Sequence, residues 1–230
     1  GYLQQARVRG FPKRRADEGI YLLAKSLAHS AQSTECLPVL KEALSINPHR
    51  TTEIHGLMAD AYLGLPTPEL EHALKHNRAY LEDQTLPSRQ REARLMQQSE
   101  ILLRLGQHVE AREVFSSLPA ESRQRAAAYI VEGQLMMFEA RAQLTDFDLS
   151  NTQRRERANE KFEAAIEVLR KARIKDAQHQ DNIPESMYLI GVCYAEMGLK
   201  YTDAALEKLA PPRRRGTGFR HAQRQVRDPL

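Results

Sequence analysis

An all-α protein is predicted, and three observations carry that expectation. Apolar residues recur at three- and four-residue spacing, as in Ile20, Leu23 and Leu27, or Ile101, Leu102 and Leu105. Long alternating β-branched runs, the mark of half-buried strands, are missing. Helix breakers return at short intervals: Asn47-Pro48, Gly64 with Pro66 and Pro68, Pro87, Gly106, Pro119, Pro184, Gly198 and Pro211-Pro212. The segments between them have the length of ordinary globular helices, so antiparallel helix pairs joined by tight turns are the simplest arrangement.

Taken in order, the segments fall into five units. In 17–50, Ile20, Leu23, Ala24 and Leu27 share one helix face; Cys36, Leu40 and Ala43 follow before the closing A-L-S-I-N-P. In 52–83, Met58, Ala59 and Tyr62 precede the turn Leu65-Pro66-Thr67-Pro68, then Ala73, Leu74 and Leu81. In 92–119, Leu95, Ser99 and Leu102 lead to Gly106 and on to Ala111, Phe115, Leu118 and Pro119. In 126–175, Tyr129 and Gly133 begin a unit whose connection is stretched before Ala165, Leu169 and Ala172. Whether 145–178 continues a helix or forms an insertion loop is left open. In 184–210, the run I-G-V-C-Y-A-E-M-G is followed by a second helix expected over Ala204–Leu209, which stops at a double proline.

This five-fold recurrence resembles the tetratricopeptide repeat. That family places a large apolar residue, Leu-Gly and Tyr on its first helix, then Ala, an aromatic, Ala and Pro on its second. Here Ala24 stands where Gly is usual, and Cys36 where Ala is usual. The resemblance implies a right-handed superhelical array, a TPR-like α-solenoid, in which each unit buries its apolar face against the next. Small residues at Ala24, Ala43, Ala59, Ala73, Ala111, Gly133, Ala172 and Gly191 fit close helix approach.

Charge divides the chain into three. Of its 230 residues, 1–15 carry five basic residues and no acid, and 211–230 carry six arginines against Asp228. The array, 16–210, is mildly acidic, which argues against nucleic-acid binding by the folded body. The basic termini read as solvated tails, with contact to nucleic acid, an anionic surface or the acidic body as alternatives. No stretch is long and apolar enough to cross a bilayer. The compartment stays open: the cytoplasm is favoured, and a removed N-terminal signal or anchor is compatible with the Gly1 start.

Signatures for phosphate, dinucleotide, hydrolase and zinc chemistry are absent, so no enzyme, cofactor or metal is expected. Cys36 and Cys193 fall at packed positions and read as inert thiols. His72 and His76, four residues apart, read as exposed surface histidines. Glu18, Glu53, Asp60 and Glu100 read as groove or surface acids.

What the resemblance implies instead is a protein-interaction scaffold, in which the first helices line a concave face that holds a peptide or helix. The lining positions would be Tyr21, Lys25, His29, Glu53 and Asp60; then Met96, Glu100, Leu103 and Arg104; then Ile130, Gln134, Met137 and Phe138; and lastly Tyr188, Val192 and Glu196. The later positions carry Met and aromatic anchors suited to an apolar partner. The alternative for Ile130, Met137 and Phe138 is packing beneath 145–178. Chaperone-binding members of the family clamp a carboxylate with Lys, Asn, Asn, Lys and Arg. Here those places hold Tyr21, Lys25, Leu57, Ala93 and Gln97, so chaperone tails are not the expected ligand. An open end after Leu209 makes self-association a further expectation.

Overall fold

The computed structural model describes residues 2–175 and 182–198. Every regular element among them is helical: α1 Tyr2–Arg9, α2 Ala16–His29, α3 Ser33–Ile46, α4 Thr51–Leu63, α5 Leu70–Leu81, α6 Ser88–Arg104, α7 His108–Ser116, α8 Ala126–Leu144, α9 Asn151–Lys175 and α10 Ile183–Glu196. The second helix expected over Ala204–Leu209, the open end after it and the basic tail 211–230 lie outside the described residues.

Local sequence explains the helix ends. Asp17 and Glu18 in the first turn of α2, with His29 in its last, complement the helix dipole. Pro184 opens α10, where a missing N–H costs nothing. Two of the turns that join the pairs repeat one geometry. Gln32 N–H donates to Leu27 O at 3.1 Å, and Gln107 N–H donates to Leu102 O at 2.9 Å. The residue before each, Ala31 or Gly106, has positive φ, +53° and +76°. Gln32, Glu69 and Gln107, which start α3, α5 and α7, share nearly the same backbone angles. Four residues after each comes the small residue Cys36, Ala73 or Ala111, all fully buried. The α2–α3 and α6–α7 turns therefore share one geometry, while the longer α4–α5 turn closes by Glu69 N–H donating to Tyr62 O at 3.1 Å and reaches the same small-residue contact without a positive φ.

Ala31 is the odd member, because a Cβ in the left-handed region is strained. Ala31→Gly is expected to stabilise the fold by about 0.5–1 kcal/mol, seen as a higher urea midpoint at unchanged slope. An unchanged or lower midpoint would show that the turn is not strained there.

Packing follows chain order. Each helix lies against its sequence neighbours, and the first helices also touch one another: α2 with α4, α6 with α8, and α8 with α10. The apolar core divides into two clusters. One runs from Ile20 to Leu135 and the other from Ile130 to Cys193. Helix α8 belongs to both, giving Ala128, Val131 and Leu135 to the first and Ile130, Met137 and Ala140 to the second. Two apolar faces on one helix, with Glu132, Gln134 and Glu139 between them, let it pack on both sides at once.

Of the segment left open in the sequence, residues 145–175 form part of a long hairpin and 176–178 lie outside the described residues. Residues 145–150 connect α8 to α9, and α9 runs for 25 residues with Phe162, Ile166 and Leu169 buried against α8 and α10. The stretched spacing is therefore extra helix on both arms rather than an inserted loop. The arms close up at Gly133, where a Cβ would stand 2.6 Å from Leu169 Cγ and Cδ2. Gly133→Ala should cost about 1–3 kcal/mol as Leu169 is pushed aside. Chemical denaturation would measure it, and a neutral result would mean that Leu169 has room to move.

Candidate interaction face

Side chains link the first helices α2 to α4, α4 to α6, and α8 to α10, while α6 and α8 touch through backbone proximity. Lys25 Nζ on α2 donates to Glu53 Oε1 on α4 at 2.8 Å. Burial works upward on the Glu53 carboxyl, but the Lys25 and Tyr21 hydrogen bonds outweigh it and hold it below the usual range. Asp60 on α4 accepts both guanidinium nitrogens of Arg94 on α6, at 2.7 and 2.9 Å, and Gln97 Nε2 at 2.9 Å. Arg94 also lies 4.9 Å from the centre of the Tyr80 ring, so its fork is fixed on two sides. Further along, Gln134 on α8 donates to Glu185 on α10 at 3.2 Å, and Arg141 pairs with Glu196 at 3.0 Å.

Glu100 on α6 touches water, yet burial is the main cause raising its carboxyl above the ordinary range. The Glu185 carboxylate of α10 adds to the rise, while Arg104 draws it down.

Several expected lining residues take other places. Tyr21 is 1% exposed, sealed by Arg50 at 4.2 Å from its ring centre and by Lys25, so it is floor rather than surface. Ile130 and Met137, 5% and 3% exposed, are core residues of the second cluster. Phe138 is half-buried and turns toward α7, stacking on His108 with ring centres 3.7 Å apart. The cause is the double burial of α8: its apolar residues fill the space between two clusters and are not available as anchors.

The remaining positions reach the surface. His29, Asp60, Glu100, Arg104, Tyr188 and Glu196 are exposed, and Lys25, Glu53, Met96, Leu103, Gln134 and Val192 are half-buried. Tyr188 stands out at 71% exposure, large for an aromatic ring. Arg94, Arg50 and Glu185 were not foreseen. The signal for Glu185 was its place three residues before Tyr188, which puts both on one face of α10.

Of the two histidines expected at the surface, His72 is exposed and His76 is not. His76 is 8% exposed, and its Nδ1 lies 2.8 Å from Nδ1 of His55, so one ring donates the proton that the other accepts. Tyr62 stacks on both His72 and His76. Burial, with His55 next, pushes His76 down to about 4; burial also lowers His55. Among the described residues, no three His, Cys, Asp or Glu side chains are placed to hold a metal ion. Cys36 and Cys193 are buried, and burial raises their thiols to about 11 and about 12.

Compared with protein-family models, with curated proteins and with solved structures, the chain matches none.

Proposed function

We propose that this chain is a non-catalytic protein-interaction scaffold of the tetratricopeptide type. Its helix pairs follow a right-handed superhelix whose inner face holds a peptide or helix of a partner. The observation that supports this reading is the line of first helices, in contact or joined by ion pairs in turn, with an exposed tyrosine, Tyr188, on the last of them. The face is polar along α2 and α4 and gains half-buried apolar surface at Met96 and Leu103 on α6 and Val192 on α10. A ligand suited to it makes hydrogen bonds along its length and seats one apolar or cationic group near Tyr188.

The test is retention of a partner from source lysate at about 0.5 M salt, where exposed charge attraction is largely screened. The full chain is compared with Tyr188→Glu, a substitution at an exposed site. A protein held by the first and lost by the second, with helix content and thermal midpoint unchanged, is the expected result. A ligand held only at low salt, and equally by both chains, would remove the inner face as its binding site.

A further inference from the structure

Two imidazole nitrogens stand face to face inside the second helix pair. His55 comes from α4 and His76 from α5, and their Nδ1 atoms are 2.8 Å apart. The ring centres lie 5.0 Å apart, with the planes inclined by 31°. His76 is buried and packed against the Tyr62 ring, which also stacks on His72. His55 is half-buried, so the pair is sealed at one ring and open to water at the other. A single N–H···N bond is little compensation for placing two imidazoles there, since an apolar pair of like volume would fill the space without desolvating either.

The same geometry suits a cation. Zinc holds imidazole nitrogen at about 2.0–2.1 Å. At that distance, nitrogens 2.8 Å apart subtend about 85° at the metal. The tetrahedral angle needs a separation of about 3.4 Å, an opening that small rotations of the two rings supply. Both rings must then present a bare Nδ1. The ring that donates in the pair does so by carrying its proton on Nε2 instead, and no net proton is released. Burial favours the neutral form of both rings, which is the form that binds metal.

Among the described residues, no third His, Cys, Asp or Glu is placed to complete a site with them. Water fills the other coordination positions, reached from the His55 side. The charge of Glu82 favours a cation beside His55, and those of Lys75 and Lys41 oppose it, so the affinity is modest.

We propose that His55 and His76 form a two-nitrogen chelate for a borderline divalent cation, Zn²⁺ or its neighbours in ligand preference, that clips α4 to α5. Imidazole selects such ions over Mg²⁺ and Ca²⁺, which take oxygen ligands. A cation bound by the folded chain alone also stabilises it. The inference stands apart from the interaction face, because it uses none of the lining residues.

The full chain is titrated with zinc chloride at neutral pH by calorimetry, with magnesium chloride as the control, and urea midpoints are measured in each salt. One zinc per chain and a raised midpoint are expected, and neither with magnesium. His55→Gln and His76→Gln should each weaken zinc binding at least about tenfold, since even an outer partner of a metal ligand is worth that much. A variant with His29→Gln and His49→Gln, both at exposed positions, should bind as the native chain does.

The native chain decides on its own should a variant lose its helical circular dichroism. Of its 8 histidines, two ring-proton NMR signals should shift together up to one equivalent of zinc, and they should be the two joined by a nuclear Overhauser contact. Absence of both heat and midpoint shift would overturn the proposal, and so would zinc binding of native strength in folded His55 and His76 variants. Weakened binding in the His29/His49 variant would overturn it as well, by assigning the metal to surface imidazoles.

Discussion

Met137→Glu is expected to unfold the protein at room temperature or leave it marginally stable, whereas Tyr188→Glu leaves the fold within about 0.5 kcal/mol of the native chain. Met137 lies in the second cluster with Phe162, Ile166, Leu189 and Ile190. Replacing it removes buried apolar volume and puts a carboxylate where water does not reach. The two losses together are on the order of 5 kcal/mol. A domain of this size has roughly 5–15 kcal/mol in total, so little would remain. Tyr188 gives up no core contact, since most of its surface already meets water. Urea denaturation followed by circular dichroism separates the two. A Met137→Glu chain as stable as the native one would place α8 at the surface, against its double burial. The contrast matters for function as well, because loss of a partner on Met137→Glu would report unfolding and not a binding contact.

Stability should fall as pH drops from about 6.5 towards 4, before most carboxylates titrate. His76 in the folded chain holds its proton less well than an ordinary histidine, near 4 against 6.5. As pH falls below 6.5 the unfolded chain takes up the proton first, so the stabilisation is complete above that value. It is lost progressively down to about 4, below which both states are protonated. At about 1.4 kcal/mol for each pH unit, the change is on the order of 3 kcal/mol. His55 contributes in the same direction, its imidazole also lowered by burial, with Glu82 opposing and Lys75 reinforcing. His72, Lys75 and Lys41 add positive charge around His76, so a second proton in the pair has no compensation there. His76→Gln keeps a hydrogen-bonding side chain without the titration. Its denaturation midpoint should change much less over the same pH range, and a slope equal to that of the native chain would discharge the histidine pair as the cause.

The helices and their pairing were legible because they depend on local rules. Spacing of apolar residues fixes which face is buried, and glycine, proline and asparagine fix the turns. Cys36, Ala73 and Ala111 were readable as close-packing positions and are buried as such. What was not legible is which of two apolar faces a helix turns inward when both are apolar. Ile130 and Met137 read equally as groove anchors and as residues packed beneath 145–178, and the second is what they do, in one cluster with residues of α9 and α10. The length of α9 was hidden for a related reason: residues 151–158, NTQRRERA, are polar enough to pass for a loop, and they are held helical as part of a long hairpin arm. His76 was misjudged because its burial depends on Tyr62 and His55, which come from α4 and not from its own helix.

The shared role of α8 bears on how the molecule comes apart. In an array of stacked pairs, each end can open while the middle holds, and stability is a sum of neighbour terms. Here one helix donates opposite sides to two clusters, so unfolding α8 itself exposes apolar residues of both at once. The halves are thermodynamically linked through a single rod, and amide protons in α8 should exchange only in the rarest, most global openings. At the opposite extreme is α1, which buries no residue and is tied on through contacts such as Arg7 with Glu42. Among the described helices, protease and solvent should reach α1 first, long before the centre gives way.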